Sequence, residues 1–174
     1  MAKLRDDNNA DLPKSSNGGV QWTKVQATDL AMSNSPAALA TIPGTGDLVV
    51  VWNQMSAEEI RGGYWRQRLS LAISKDNGDT WENFKTLELP AGLKDIKRVK
   101  PPKIQPMVRG TLGKDSPVGD WPADDYILFH YPNIWFSANN DKIFITYGVT
   151  GKFIPLGRPG RCCRVFPISW LYEK

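Results

Sequence analysis

Eight consecutive residues constrain the fold of this chain more than any others. Ser74-Lys75-Asp76-Asn77-Gly78-Asp79-Thr80-Trp81 fills every slot of the pattern S-x-D-x-G-x-T-W. Each slot has a physical task. Asp76 can accept hydrogen bonds from the backbone N–H groups that follow it and so close a turn by itself. Gly78 supplies a positive φ at almost no steric cost. Trp81 starts the next strand and brings a large ring to bury between sheets. The preceding run Leu69-Ser70-Leu71-Ala72-Ile73-Ser74 alternates at period two, so the unit reads as a β-hairpin.

A second, degenerate copy lies upstream. Ser15-Ser16-Asn17-Gly18-Gly19-Val20-Gln21-Trp22 keeps Ser15, Gly19 and Trp22 in register, with Asn17 in the Asp slot and Gln21 in the Thr slot. Asparagine closes the same turn through its amide oxygen. The two copies are separated by roughly 60 residues, the length of a four-stranded propeller blade with its loops. These motifs resemble the Asp-box, or bacterial neuraminidase repeat, of the sialidase family. The resemblance implies an antiparallel all-β propeller of the sialidase type, with the boxes at structural turns away from any active site.

Strand order follows from alternation and turn signals. Residues 23–30 read as the outer strand that ends a preceding blade, so 1–30 is assigned to that blade. Strands at 36–42, 47–53, 66–74 and 80–89 make a complete blade over 35–89, with Gly44-Thr45-Gly46-Asp47 as the first tight turn. Residues 90–125 are a Lys-, Pro- and Gly-rich insertion without periodicity. Strands at about 131–138, 141–149 and 161–172 make a last blade over 126–174, in which Ile143, Ile145 and Tyr147 share one face. About two blades plus one strand cannot close a ring. Either several copies assemble or, as is favoured here, the chain is the C-terminal part of a six-bladed propeller of the kind the resemblance implies, with its earlier blades upstream.

Composition excludes several classes. No run of about 18 apolar residues is present, so no membrane span is expected. Residues 1–19 are polar and lack the apolar centre of a signal peptide, which points to a soluble protein and leaves the compartment open. Adjacent Cys162 and Cys163, with His130 as the single histidine, fall short of a zinc site, and no metal or cofactor is expected. The two cysteines read as semi-buried strand residues. His130 is the one candidate for a histidine base, and nothing in its surroundings supports that role. The net charge of +4 owes much to Lys94, Lys97, Arg98, Lys100 and Lys103. Without interleaved aromatics this run reads as a solvated surface rather than a nucleic-acid interface. A modest positive field suits an anionic sugar.

The resemblance covers residues 15–170 apart from the insertion, and carries expectations for chemistry. Family sialidases hold a substrate carboxylate with three arginines and attack with a tyrosine, an exception to the two-carboxylate scheme of most glycosidases. Their last arginine lies in the strand leading into an Asp box, where this chain has Arg66 and Arg68. The pattern does not separate the two, though Arg66 matches the spacing slightly better. Either could instead be a charge on a solvated face. Tyr131, at the start of the last blade, occupies the place of the nucleophile, the alternative being an aromatic core residue. The remaining arginines, the acid/base aspartate and the glutamate have no counterpart here. Glu58 and Glu59 lie in a loop and do not match the glutamate's motif. Three functions are compatible with this: an exo-α-sialidase-like glycoside hydrolase acting on sialylated or other acidic glycans, a non-catalytic carbohydrate-binding or scaffold propeller, and a partner-binding β-domain.

Overall fold

The computed structural model describes residues 9–33, 35–57, 59, 66–101, 127–151 and 160–174, with backbone only for 9–12. It is all-β and antiparallel, a partial β-propeller. Strands β1 (Asn9–Leu12) and β2 (Gln26–Ala31) pair with each other. Strands β3 (Ala38–Thr41), β4 (Leu48–Asn53), β5 (Leu69–Ser74) and β6 (Glu82–Glu88) form a four-stranded meander. Strands β7 (Ile127–Phe136), β8 (Lys142–Gly151) and β9 (Gly160–Pro167) form a three-stranded one. Among the described residues no helix is long and apolar enough to cross a membrane.

Every residue of β5 is buried, because the central meander is covered on both faces. Val49, Val51, Leu69, Leu71 and Ile73 meet Phe129, Ile143, Ile145, Tyr147 and Val149 of the three-stranded sheet. The alternate residues Val50, Trp52 and Ala72 pack with Leu30 of β2 and with Trp81. Trp52 fixes that second contact by donating its indole N–H to the carbonyl of Ala31 at 2.8 Å. Period-two alternation thus sorts one strand's side chains between two cores.

Both boxes form the turns their residues specify. In the second, the Gly78 N–H donates to Ser74 Oγ at 2.7 Å and the Thr80 N–H donates to Asp76 Oδ1 at 2.8 Å. Asn77 and Gly78 take φ of 56° and 86°. In the first, Gly19 N–H donates to Ser15 Oγ at 2.9 Å and Gln21 N–H to Asn17 Oδ1 at 2.9 Å. The same bonds close both, with the amide oxygen standing in for the carboxylate. Each box links corresponding strands, β1 to β2 and β5 to β6.

Several details depart from the sequence reading. The first box is preceded by an additional strand, β1, so two strands rather than one stand before the four-stranded sheet. The inner strand of the last sheet begins at Ile127, ahead of Tyr131. Strand β9 stops at Pro167, and residues Ile168–Tyr172 form a 3-10 helix instead. That turn lets Leu171 enter the core and lets Tyr172 donate its hydroxyl to Asp47 at 2.8 Å. Cys162 and Cys163 are exposed, not semi-buried, because β9 is an edge strand that pairs only with β8 among the described residues. Of the expected insertion, residues 94–99 are bonded to the blade, and 102–125 lie outside the described residues.

Candidate functional site

The strands sort the chain's turns to two ends. At one end lie the boxes, the 43–47 turn, the 137–141 turn and the 3-10 helix. They are tied by Ile168 N–H to the Asp141 carbonyl at 2.8 Å, by Asn83 Nδ2 to the Leu171 carbonyl at 3.2 Å, and by an ion pair of Lys14 with Asp79 at 2.6 Å. At the other end lie the exit of β4, the entry to β5, residues 94–99 and the first half of β7. The two candidate arginines and Tyr131 are at this second end.

The structure treats the arginines differently. Arg68 is buried. Its guanidinium pairs with Glu59 at 2.7 Å and donates to the carbonyls of Lys94 at 2.7 Å and Ile96 at 3.3 Å. Gln54 holds the same loop, donating to the Lys97 carbonyl at 3.0 Å and accepting from the Val99 N–H at 2.8 Å. Arg68 therefore fastens residues 94–99 across the end of the blade. The basic residues of that loop face outward: Lys94, Lys97, Arg98 and Lys100 are exposed. Lys97 pairs with Asp95, and Arg98 pairs with Asp29 while lying over the Phe84 ring. Lys103 lies outside the described residues, as does Glu58.

Arg66 is only half-buried, and its guanidinium carbon lies 5.5 Å from the centroid of the Tyr131 ring. Its backbone carbonyl accepts from Phe129 N–H at 2.8 Å. The buried Asn53 amide donates to the carbonyls of Arg68 at 3.1 Å and Phe129 at 3.0 Å. These bonds clip the entry of β5 to β7 and set the distance between Arg66 and Tyr131.

Tyr131 sits where the β7–β8 ladder slips. His130 faces Gly148 and Asn133 faces Thr146, so Tyr131 and Pro132 together oppose Tyr147 alone. Two residues against one is a β-bulge, which re-aims the side chains at that point. Without it, alternation from Phe129 would send Tyr131 into the core. Instead Tyr131 takes φ of 52° and its side chain stands 57% exposed, so it is not a core aromatic. A positive φ in a bulky residue is a strained conformation that the surrounding bonds must hold.

The neighbouring carboxylates at this end are already committed. Glu59 binds Arg68 and the Ser56 N–H. Glu88 accepts from Arg164 Nε at 2.7 Å and from the Tyr147 hydroxyl. Burial, followed by that bond to Glu88, pushes the Tyr147 phenol well above its ordinary range. The Glu88 bond likewise raises the Arg164 guanidinium. This trio ties β6 to β8 and β9.

Sequence reasoning did not single out Asn53, Gly148 or the contact of His130 with Tyr131. Gly148 carried a readable signal, since a glycine inside a strand marks a bulge or a close approach. The chain matches the family of BNR repeat-like domains over residues 2–145. No curated protein matches it.

Proposed function

The chain belongs to the family of BNR repeat-like domains, and from that footing we propose that its Arg66–Tyr131 end binds a terminal acidic sugar of the sialic acid class. In this reading it forms part of an exo-α-sialidase-like glycoside hydrolase. The carrying observation is the placement of the Arg66 guanidinium over an exposed, bulge-presented tyrosine, at the end opposite both boxes. An arginine fork takes a carboxylate through two parallel hydrogen bonds. A neutral phenol beside it can approach the anomeric carbon of an anionic sugar without like-charge repulsion. Tyr131 is then the nucleophile and Arg66 the carboxylate ligand, while Arg68 is structural. The acid/base aspartate has no matching motif in this sequence, so these 174 residues by themselves are expected to bind and not to turn over.

A non-catalytic carbohydrate-binding propeller is the second reading. It is favoured by the engagement of Glu59 and Glu88 in ion pairs, which leaves neither free to assist the tyrosine. Saturation-transfer NMR with N-acetylneuraminic acid tests the binding that both readings share. Signal that disappears in Arg66→Ala, and is absent with galactose, is the expected result. Equal signal from galactose, or signal indifferent to Arg66→Ala, would remove the proposal. A fluorogenic sialoside, offered to a version extended upstream of these residues, then separates the readings: turnover lost in Tyr131→Phe belongs to the hydrolase, and binding without turnover in the extended protein to the lectin-like one.

A further inference from the structure

The ring that lies behind Tyr131 is that of His130, and several independent features fix it there. Its Nε2 shares a 2.8 Å hydrogen bond with Thr150 Oγ1. Its partner across the ladder is Gly148, and a methyl group on Gly148 would come within 2.6 Å of His130 Nδ1 and 3.2 Å of Nε2. That glycine is therefore a socket: only a residue without Cβ lets the imidazole lie flat across β8. The seated ring meets Tyr131 edge-to-face, with centroids 5.2 Å apart and planes at 81°. Its Nδ1 is buried with no hydrogen-bond partner among the described residues, so packing and one hydrogen bond hold the imidazole.

We infer that His130, seated on Gly148 and tethered by Thr150, is the positioning residue that holds the Tyr131 ring beneath the Arg66 guanidinium. The bulge alone turns Tyr131 outward but leaves its χ angles free, and an exposed aromatic with one bare face samples several rotamers. The His130 edge removes that freedom on one side and the Arg66 cation on the other. This deepens the acidic-sugar reading, and rests on it for the purpose of the positioning, but the geometry itself is measurable without any sugar.

The experiment reads the Tyr131 ring protons by NMR in the full chain, assigned by their loss in Tyr131→Phe. Wild type should show cross-peaks between the His130 and Tyr131 rings. Gly148→Ala, which fills the socket, and Thr150→Val, which removes the tether while conserving shape, should both shift the Tyr131 ring resonances and abolish those cross-peaks. Most amide resonances should stay in place. His130→Phe, which restores a ring edge, should recover the Tyr131 shift more fully than His130→Ala. Affinity for N-acetylneuraminic acid should fall in the same order as the Tyr131 ring is released. Thr150→Val is the mildest change and keeps the test open if Gly148→Ala does not fold. Tyr131 resonances unchanged in folded Gly148→Ala or Thr150→Val would overturn the inference. Resonances that respond as expected in a protein that binds no sialic acid would leave the positioning role standing and remove the sugar-binding reading instead.

Discussion

Arg68 and Glu59 form a buried ion pair of 2.7 Å in which the side chains are 1% and 8% exposed. Burying two charges is tolerable only when their remaining polar atoms are also bonded. Here the guanidinium is completed by the carbonyls of Lys94 and Ile96, and the carboxylate by the Ser56 N–H at 2.7 Å. The pair thereby converts a loop rich in lysine into a cover for the end of the blade.

Removing one partner leaves the other charged and buried. Arg68→Ala and Glu59→Ala should each destabilise by ~3–5 kcal/mol, whereas Arg68→Met combined with Glu59→Leu should recover much of that loss. Chemical denaturation of the three variants decides it. A double variant no better than the singles would mean that the loop bonds, and not the isolated charge, dominate.

The two box tryptophans should behave very differently. Trp81 is 4% exposed and packs with Trp52, Leu30 and Ala72, so Trp81→Ala should cost about 3–5 kcal/mol. Trp22 is 62% exposed, its indole bonded to the Gly19 carbonyl within its own turn, and its truncation should stay within ~1 kcal/mol. Comparable losses from the two variants would show that Trp22 is covered in solution.

Asp76 illustrates the box chemistry at the level of one atom. Bonds from the Thr80 hydroxyl and N–H, and from Ser74, hold its carboxyl down at about 2. The first box makes the same turn with Asn17. Asp76→Asn should therefore be mild at neutral pH, and Asp76→Ala distinctly worse, because only the latter deletes the acceptor. Below pH 3.8 the wild-type carboxylate loses its advantage as it protonates, while the Asn variant does not change. Equal midpoints for Asn and Ala at pH 7 would contradict this account.

What the sequence disclosed and what it concealed divide along the range of the interactions. The boxes were legible because Ser74, Asp76 and Gly78 close their turn within five residues, and the sheet order because β5 and β8 alternate and Gly44-Thr45-Gly46-Asp47 marks the turn before β4. The 3-10 helix at residues 168–172 was concealed, since it answers to Leu171 and Tyr172 finding the core and Asp47. The separation of Arg66 from Arg68 was equally invisible. It is decided by Glu59, by carbonyls 26 and 28 residues further on, and by a bulge in β7 that period-two reading cannot contain. Tyr131 was nominated by resemblance alone, and the bulge that presents it outward is a property of the ladder, not of local pattern.

The pH dependence near neutrality should report on His130. Burial, and then the charge of Arg66, lower its pKa from 6.5. The folded protein thus favours the neutral imidazole, and the unfolded chain binds the proton more readily. The associated stability is fully present above pH 6.5 and is lost as pH falls from there through the depressed folded value. The carboxylates whose pKa values are lowered, Asp76, Asp95 and Asp141, lose their contributions only below 3.8, so a loss that sets in at pH 6.5 is not theirs. Denaturation midpoints measured between pH 7.5 and about 5 should decline in wild type and stay flatter in His130→Phe, with the Tyr131 ring resonances of wild type shifting over the same interval. A wild-type midpoint that is level, or that rises on acidification, would place the His130 imidazole in contact with solvent or with an acid, in contradiction to the socket on Gly148.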